Sequence, residues 1–460
     1  MKTIKRYILL SALFVSATGA YAQYLTSGYF NDNYLYRHEM NPAFAPERNY
    51  VSFPGLGNIN MSMRGNIGVK DVFFNRNGRT VTFMNSAVGV GEFLKNINDK
   101  NRLGMDVKMN ILGGGFKAFG GYNTVGINVR SNVGANVPGA LFRLIKEGPA
   151  NQTYDISDFK AHADLYMELA FGHSRQLNDQ WRVGGKLKFL LGGVNVDAEF
   201  KDARLQLNED GYTAVVDAEV QSSVKGLAYK TETKMRGADK NHPHTYVSDV
   251  DVDNTGMNGF GLAVDLGAEF KLDEQWSFSA ALLDLGFISW NNNMVASTNG
   301  PRTFNTDDYI FNTDDDATNS FDNEIDNLTE GLANLYELED MGDKGGRTRM
   351  LGATMNLGAE YTLPSYNKLK FGFMNTTRIM GAYSWTDFRL SANISPCKIF
   401  SATANISEGT YGFGFGWMLD LHPKYFNLFL GMDHTFASIA KQGVPLSHQA
   451  DMTFGINIPF

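Results

Sequence analysis

Cysteine is almost absent from this sequence: Cys397 is the single example among 460 residues. One thiol excludes an internal disulfide framework, a cysteine zinc cluster and a Cys-x-x-Cys redox pair. Long apolar runs are missing as well, because no stretch beyond the N-terminus reaches the roughly 18 residues that indicate a transmembrane helix. Basic residues are outnumbered, with 41 Lys and Arg against 49 Asp and Glu. The basic footprint of a nucleic-acid-binding protein is therefore missing, and we expect neither a nucleic-acid partner nor a cofactor.

The N-terminus has the three parts of a secretory signal peptide. Positively charged residues precede a short apolar run at residues 8–18, and Ala20-Tyr21-Ala22 supplies a small-x-small cleavage sequence. We expect residues 1–22 to be removed, with cleavage before Gln23. Because Gln23 is not cysteine, a lipid anchor at the new N-terminus is not expected. An uncleaved membrane helix is the alternative, but the run is far shorter than the ~20 residues that a span needs.

Alternation of apolar and polar residues dominates the mature chain. Residues 411–421 are an example, with an aromatic or aliphatic side chain at every second position. Alternation with period two indicates strands, and segments of about ten residues suit tilted strands across a hydrocarbon layer. The pattern predicts fourteen strands, near residues 58–67, 103–113, 122–134, 161–175, 181–194, 260–270, 276–290, 349–362, 369–380, 385–394, 398–407, 411–421, 425–433 and 449–460.

The connections between these segments alternate in length. Turns such as 176–180 are short, whereas long loops fall near residues 68–102, 195–258 and 291–348. Short periplasmic turns and long external loops are typical of outer-membrane barrels. We therefore predict an all-β fold: a transmembrane antiparallel β-barrel of about 14 strands, at residues 58–460, in the outer membrane of a Gram-negative bacterium. A secreted soluble β-protein is the alternative.

Some loop segments also carry structure in the prediction. Residues 195–225 read as strands that extend past the membrane, with a turn at Asn208–Gly211. Residues 138–146 and 323–338 have apolar side chains at helical spacing, which predicts two short amphipathic helices.

Charged residues fall opposite the apolar stripes of the predicted strands. An Arg or Lys on the lipid face costs about 2–4 kcal/mol at mid-membrane, so these side chains are expected to point inward. Six acids balance six bases, which favours a paired network bracing a narrow or plugged lumen over a charge-selective pore. The predicted lumen network comprises Asp106, Lys108, Arg130, Asp164, Glu168, Arg182, Lys186, Lys188, Asp265, Glu269, Arg389 and Asp451.

Three features leave alternatives open. Asp284 breaks the alternation of its strand, so either a bulge flips the register there or the residue lies above the hydrocarbon. Gly412, Gly414 and Gly416 face inward, where they make room for a plug, a ligand or a bend, or allow strand curvature. The tryptophans, Trp290 among them, favour a belt at the membrane interface over a ligand cage.

Metal and catalytic candidates are weak. Segment 303–343 carries thirteen acids and no Lys or Arg, but Ala317 stands where a calcium loop needs glycine, so a solvated acidic loop is favoured over divalent-ion binding. His242-Pro243-His244, with aspartates nearby, could hold a metal, although such a pair usually belongs to an ordinary loop. The scattered histidines have no nucleophile motif beside them. We therefore expect no enzyme, no metal ligand and no catalytic residue.

Residues 23–57, between the signal peptide and the first predicted strand, do not alternate. Prolines such as Pro46 and Pro54 interrupt regular structure, and a segment of this kind could fold into the lumen as a plug. Its motif Asn41-Pro42-Ala43 resembles the N-terminal hatch of FadL-type long-chain fatty-acid transporter barrels and of the related PorV and PorP-like proteins. Residues 282–290, LLDLGFISW, resemble a strand of outer-membrane proteins from Bacteroidota-type bacteria.

This resemblance implies a fourteen-stranded barrel with a hatch segment at residues 23–57. FadL relatives pass hydrophobic molecules, which implies passive passage of small hydrophobic solutes. PorV relatives serve protein secretion and surface attachment, which implies the alternative of a non-transporting barrel that docks secretion or cell-surface partners through its external loops. No residue set of this chain maps onto either activity.

The stretch 451–460 alternates up to a terminal aromatic, Phe460. A last strand of this kind resembles the signal that barrel-assembly machinery reads in outer-membrane proteins. We expect Phe460 to contribute to assembly, outer-membrane lipid to surround the strand, and the strand to pair with the first one so that no sheet edge remains.

Overall fold

The computed structural model describes residues 24–148, 151–208, 211–236, 242–310, 321–435 and 448–460. The predicted signal peptide at residues 1–22 and its cleavage site before Gln23 lie outside the described residues.

Within these described ranges, fourteen antiparallel strands pair with their neighbours in the chain and close into a barrel. The last strand pairs with the first, with Phe454 opposite Ile59, so the wall is continuous at the closure. The predicted fold class and strand count are confirmed. The strands are β1 Ile59–Gly65, β2 Lys100–Ala118, β3 Gly121–Pro138, β4 Lys160–Gln176, β5 Trp181–Asn208, β6 Gly259–Lys271, β7 Trp276–Trp290, β8 Ala353–Thr362, β9 Leu369–Ile379, β10 Trp385–Cys397, β11 Phe400–Gly409, β12 Gly412–Leu421, β13 Asn427–Met432 and β14 Gln449–Pro459.

A three-residue strand, Tyr50–Ser52, precedes β1 in the same wall. It pairs with both β14 and β2, and residues 53–58 leave the ladder between it and β1. Beyond β14, the N–H of Phe460 donates to Asn49 O at 3.0 Å, while the Phe460 side chain is 71% exposed. The first wall strand is therefore interrupted, and pairing with β14 already begins at Tyr50.

The barrel wall is apolar outside and mostly polar inside. On the outer face, Phe413 of β12 and Leu390 of β10 are 66% and 56% exposed. On the inner face, Ser407 and Asn405 of β11 are each 3% exposed. Because period-two alternation puts successive side chains on opposite faces, one stripe faces outward and the other faces the lumen. This polarity is what a barrel in a hydrocarbon layer requires.

β7 changes face in its middle. Trp276 and Phe278 point outward before Asp284, whereas Ile288 and Trp290 are buried inside after it. Asp284 has a φ of 59°, and the pairing of β7 with β6 shifts register there, which defines a bulge. The bulge decides between the alternatives for Asp284, which points into the lumen and is 1% exposed. It also makes the interface position predicted for Trp290 wrong, since Trp290 is 1% exposed inside the barrel.

At the end with the long connections, the sheet continues beyond the barrel. β5 runs on to Asn208 and forms a hairpin with Gly211–Val224, which confirms the predicted strands that extend past the wall. The turn residues 209–210 lie outside the described residues. The remaining short strands are Phe73–Arg76, Arg79–Thr82, Gln152–Asp155, Leu227–Arg236, His242–Val252, Met294–Ser297, Arg302–Asn305, Glu339–Asp343 and Arg347–Met350.

The helices lie in the connections. Gly139–Glu147 and Phe321–Tyr336 confirm the two helices predicted from apolar spacing. The other helical elements are short: α-helices Val69–Val72 and Val90–Leu94, and 3₁₀ helices Thr26–Gly28, Leu35–Glu39, Thr306–Asp308 and Gly381–Tyr383. Across the ranges that the structure describes, no helix combines the length and apolar character needed to cross a membrane.

Candidate functional site

The N-terminal segment, residues 24–46, lies inside the barrel. Tyr29 and Asn31 are 0% and 3% exposed. Tyr29 Oη lies 3.0 Å from Ser279 Oγ on β7, and on the facing side Asn31 Oδ1 accepts from Ser401 Oγ on β11 at 3.0 Å. Contacts with strands that are far apart in the wall put this segment inside the lumen.

The motif Asn41-Pro42-Ala43 lies against β5, β6 and β7. Asn41 Nδ2 donates to Ala268 O at 3.2 Å and to Ala280 O at 3.4 Å. A Cβ added at Gly184 would lie 2.1 Å from Pro42 O. One added at Gly267 would lie 2.1 Å from Asn41 Oδ1. The motif thus rests on the wall at two positions that have room only for glycine.

Asp433, directly after β13, holds the start of the segment. Its Oδ2 accepts from the N–H and hydroxyl of Thr26, at 2.8 and 2.6 Å. Its Oδ1 accepts from the N–H and hydroxyl of Ser27, both at 2.6 Å. Arg389 donates to Asp433 O at 3.2 Å and also pairs with Asp387 at 3.0 Å. Four hydrogen bonds to one carboxylate therefore fix Thr26 and Ser27 to the wall.

Glu39 and His38 join the segment to lysines of the wall. Lys108 Nζ lies 2.7 Å from Glu39 Oε1. Lys186 Nζ lies 2.9 Å from His38 Nδ1, and His38 Nε2 lies 2.8 Å from Tyr50 Oη. Burial lowers the pKa of His38 well below its usual range, and the charges of Lys186 and Lys108 lower it further. A neutral His38 accepts at Nδ1 from the ammonium of Lys186 and donates from Nε2 to Tyr50.

The centre of the lumen holds a cluster of buried charges. Arg130 binds Asp284 through both Nη atoms, at 2.8 and 3.1 Å, and reaches Glu168 at 3.1 Å. Lys188 lies 2.6 Å from Asp284 and 2.7 Å from Asp265. Each of these five residues is at most 6% exposed. Every charge has an opposite partner, which is the condition for keeping ions out of water at tolerable cost.

The other predicted lumen residues lie in smaller groups. Three of the acids bond to side chains of the lumen, in the pairs Asp106–Asn132, Asp164–Asn195 and Asp451–His434. Arg182 on β5 stands opposite Glu269 on β6 in the ladder. The twelve predicted residues are thus brought together in several clusters rather than in one.

Several charged residues of the lumen and its mouth, Asp284 and Asp197 among them, are missing from the predicted network. Arg378 lies 3.7 Å from Asp284. Arg347 and Arg349 both pair with Asp197, where the chain returns from the longest loop. The broken alternation at Asp284 indicates an irregularity in the strand, but it does not predict whether the side chain points into the lumen. Arg347 and Arg349 are spaced two residues apart, as inward residues of one strand are. The strand predicted at 349–362 begins too late to include Arg347.

The inward glycines of β12 make room for the chain that follows β13. A Cβ at Gly414 would lie 2.4 Å from His434 Cδ2, and one at Gly416 would lie 2.7 Å from Asp433 O. Gly412 has a φ of 93° at the start of the strand. Gly414 and Gly416 therefore leave room for a protein segment that folds inward, which is one of the alternatives that the sequence left open.

A cavity of about 640 Å³ opens at the mouth with the long connections, beside the central charge cluster. Trp290 lines it, and its Nε1 is buried without a hydrogen-bond partner among the described residues. The pairing of β8 with β9 ends at Ala353 and Ile379, which both border the cavity. The rest of the lining mixes apolar and charged side chains, chiefly Tyr166, Ile288, Leu351, Tyr383, Asp164, Asp197, Arg349 and Arg378. We call this space the outer cavity.

Among the described metal candidates of the sequence, His244 and Asp251 each pair with another side chain. His244 Nε2 lies 3.1 Å from Glu337 Oε2, and Asp251 pairs with Lys230 at 2.7 Å. In the part of the chain that the structure describes, no three His, Cys, Asp or Glu side chains converge as ligands. Ala317 and its neighbours in the acidic segment lie outside the described residues.

A family model matches residues 42–433, from within the Asn41-Pro42-Ala43 motif to Asp433. The chain belongs to this family, DUF5723, a family of unknown function. Among curated proteins, none matches the chain.

Solved structures similar to this DUF5723 chain include two toluene transporters and a FadL homologue. The toluene transporter TodX of P. putida is 10% identical, with a TM-score of 0.39 and 91% of each chain covered. The toluene transporter TbuX of Ralstonia pickettii is 8% identical, with a TM-score of 0.39 and 92% of each chain covered. A Pseudomonas aeruginosa FadL homologue is 9% identical, with a TM-score of 0.34, over 96% of this chain and 95% of that one. Similarity of this size carries no argument about what a DUF5723 protein passes or binds.

The DUF5723 barrel has a second large cavity, of about 400 Å³, at the end with the short turns. Asp32 and Leu35 of the N-terminal segment line it, together with Arg48, Lys368 and His422. We call this space the inner cavity.

Proposed function

We propose that this protein is an outer-membrane β-barrel that lets small, largely apolar solutes cross passively. The observation that carries the proposal is the outer cavity, which opens at the mouth with the long connections. Cavities of 300–1,000 Å³ with an apolar lining and a few polar groups are typical of small-molecule sites, and the volume of about 640 Å³ lies within that range.

The apolar outer face of the wall supports the membrane location. Charged side chains on that face would cost about 2–4 kcal/mol each at mid-membrane, and the large exposed side chains there are of the kind of Phe413 and Leu390. Outer-membrane barrels keep short turns in the periplasm and long loops outside. By this rule the outer cavity faces the cell exterior and the inner cavity faces the periplasm.

The preference for apolar solutes follows from the charges around the outer cavity. Arg349 already pairs with Asp197, and Arg378 lies 3.7 Å from Asp284. A charged solute would have to break such a pair in order to gain a partner. Leu351 and the ring of Tyr383 add apolar surface to the lining, which suits a largely apolar solute.

Uptake of N-phenyl-1-naphthylamine by cells tests the proposal. This apolar probe fluoresces on reaching phospholipid, and a lipopolysaccharide leaflet slows its entry. Cells carrying the barrel should take up the probe faster than vector cells, while uptake of a hydrophilic dye stays the same. Equal rates for the apolar probe, at matched barrel levels in the outer membrane, would rule the proposal out.

A second candidate function is the docking of secretion or cell-surface partners through the external loops. The observation that favours it is the sheet beyond the barrel, in which Gly211–Val224 pairs with β5, Met294–Ser297 and Arg302–Asn305. A structured outer sheet of this size is more than a solute channel needs. Crosslinking in native membranes should then recover one partner in fixed ratio to the barrel, and recovery of the barrel alone counts against docking.

A further inference from the structure

β9 runs from the outer cavity, which Arg378 lines, toward the inner cavity, which is lined by Lys368 directly before the strand. The inward side chains of β9 are Lys370, Gly372, Met374, Thr376 and Arg378, one at every second position. Arg378 lines the outer cavity. At the other end of the strand, Lys370 pairs at 2.6 Å with Asp32, which lines the inner cavity. At about 3.3 Å per residue, the inner face of β9 spans about 26 Å between these two ends.

A third, small space lies between the two cavities on this wall. It has a volume of about 10 Å³ and is lined by Thr354 and Asn356 of β8, Thr376 of β9, and Tyr24 and Met40 of the N-terminal segment. The segment therefore packs less tightly against β8 and β9 here. The outer cavity reaches Arg378, and this separate small space borders Thr376, the next inward residue of β9.

Two side chains fill the remaining interval on β9. Met374 is 1% exposed and follows Thr376 on the inner face. Phe30 of the N-terminal segment occupies the next position, because a Cβ added at Gly372 would lie 2.1 Å from Phe30 Cδ2. Gly358 of β8 borders the same ring, with a Cβ position 3.2 Å from Phe30 Cζ. Two glycines in adjacent strands thus form the seat of one aromatic ring.

We propose that solutes cross between the N-terminal segment and the inner face of β8 and β9, and that Phe30 and Met374 close this route. The inference rests on the proposed function and names the path and its closing side chains. The chemistry of the closure is apolar, since a phenyl ring and a thioether meet over glycine. This fits small uncharged solutes, which exchange dispersion contacts with these side chains as they move.

The chain offers a matched control for each closing residue. Phe44 belongs to the same segment, is 5% exposed like Phe30, and packs edge-on against Tyr29 at 5.1 Å as Phe30 does at 4.9 Å. Met418 on β12 is 0% exposed and touches the other side of the segment, with its Sδ 3.0 Å from a Cβ position at Gly28. Phe44 and Met418 line none of the three spaces described above.

The test compares uptake of N-phenyl-1-naphthylamine in cells carrying four alanine variants at equal levels. Truncation of a buried Phe leaves space on the order of 100 Å³, which is enough for a small aromatic ring. Phe30→Ala and Met374→Ala should raise the uptake rate severalfold above wild type, whereas Phe44→Ala and Met418→Ala should leave it unchanged. The mobility shift of each variant on boiling, in gel electrophoresis, reports that the barrel is folded.

The possible outcomes distinguish a failure of the proposed route from a failure of the proposed function. Wild-type uptake no faster than vector uptake overturns the proposed function. Faster wild-type uptake, with Phe30→Ala equal to Phe44→Ala and Met374→Ala equal to Met418→Ala, overturns the route alone. If one variant does not fold, the other matched pair decides, since each pair tests the route by itself.

Discussion

Arg130 on β3 and Asp284 on β7 meet across the lumen, with both Nη atoms of the guanidinium on the two carboxylate oxygens at 2.8 and 3.1 Å. Three strands separate β3 from β7 along the wall, so this pair connects parts of the barrel that share no ladder. Lys188 of β5 lies 2.6 Å from the same carboxylate. Asp284 is therefore the shared partner of two cations from different strands.

Asp284→Asn should destabilise the barrel strongly. Loss of the carboxylate charge leaves Arg130 and Lys188 buried with incomplete pairing, and removing one partner of a buried ion pair costs about 3–5 kcal/mol. The free energy of unfolding in urea, measured on the barrel folded in detergent, checks this value. Asp202→Asn is the control, because its pair with Arg204 lies in the exposed extension of β5 and solvent-exposed pairs contribute little to stability. Similar losses for both variants would contradict the prediction.

Asp433→Asn should release the start of the N-terminal segment. The amide group presents an NH₂ to the donors of Thr26 or Ser27, and losing charge-assisted bonds of this kind should speed their amide exchange roughly 10- to 100-fold. Hydrogen exchange at these two amides is the measurement. Asp387→Asn is the control, since Asp387 also pairs with Arg389 but touches neither residue. Unchanged protection in Asp433→Asn would show that other contacts hold the segment.

Strand positions were predictable because a barrel wall separates two solvents. Lipid on one side and a polar lumen on the other impose period two on every strand, and in β7 the predicted bounds 276–290 agree with Trp276–Trp290. The inward direction of Arg130 and Lys188 follows from the same alternation. The alternation of apolar and polar residues therefore predicted both the strands and much of the central charge cluster.

The rest of the lumen depends on long-range packing that no local pattern encodes. The bulge at Asp284 inverts the faces of β7 beyond it, which moves Trp290 from the expected outer belt into the outer cavity. The seat of Phe30 on Gly372 joins residues that are far apart in sequence. Neither residue carries a signal of its own, because an aromatic in an irregular segment and a glycine in a strand are each common.

Acidification should weaken the fold through His38. Its pKa is lowered by burial and by Lys186 and Lys108, so the unfolded chain binds a proton first as the pH falls below about 6.5. The free energy of unfolding should therefore fall between about pH 7 and pH 5, and His38→Asn should reduce that fall. The wild-type protein, measured over the same pH range, is the reference. Equal pH dependence in the wild type and His38→Asn would exclude this contribution.

Gly184 and Gly185 are neighbours in β5 that point in opposite directions, and they should respond differently to the same change. A Cβ at Gly184 would meet Pro42 O at 2.1 Å, a backbone atom that cannot rotate away. A Cβ at Gly185 would have Asp265 O as its neighbour at 3.6 Å, an ordinary contact. Gly184→Ala should thus cost about 1–3 kcal/mol by overpacking, and it should expose Arg37 of the N-terminal segment to trypsin.

Gly185→Ala should leave both the free energy of unfolding and the trypsin pattern as in wild type, because an added methyl group on that side meets no close atom. Unfolding in urea and limited proteolysis of the two variants check the difference. If the two alanines have the same effect, the seat of Asn41-Pro42-Ala43 on the wall is not what keeps the N-terminal segment in the lumen.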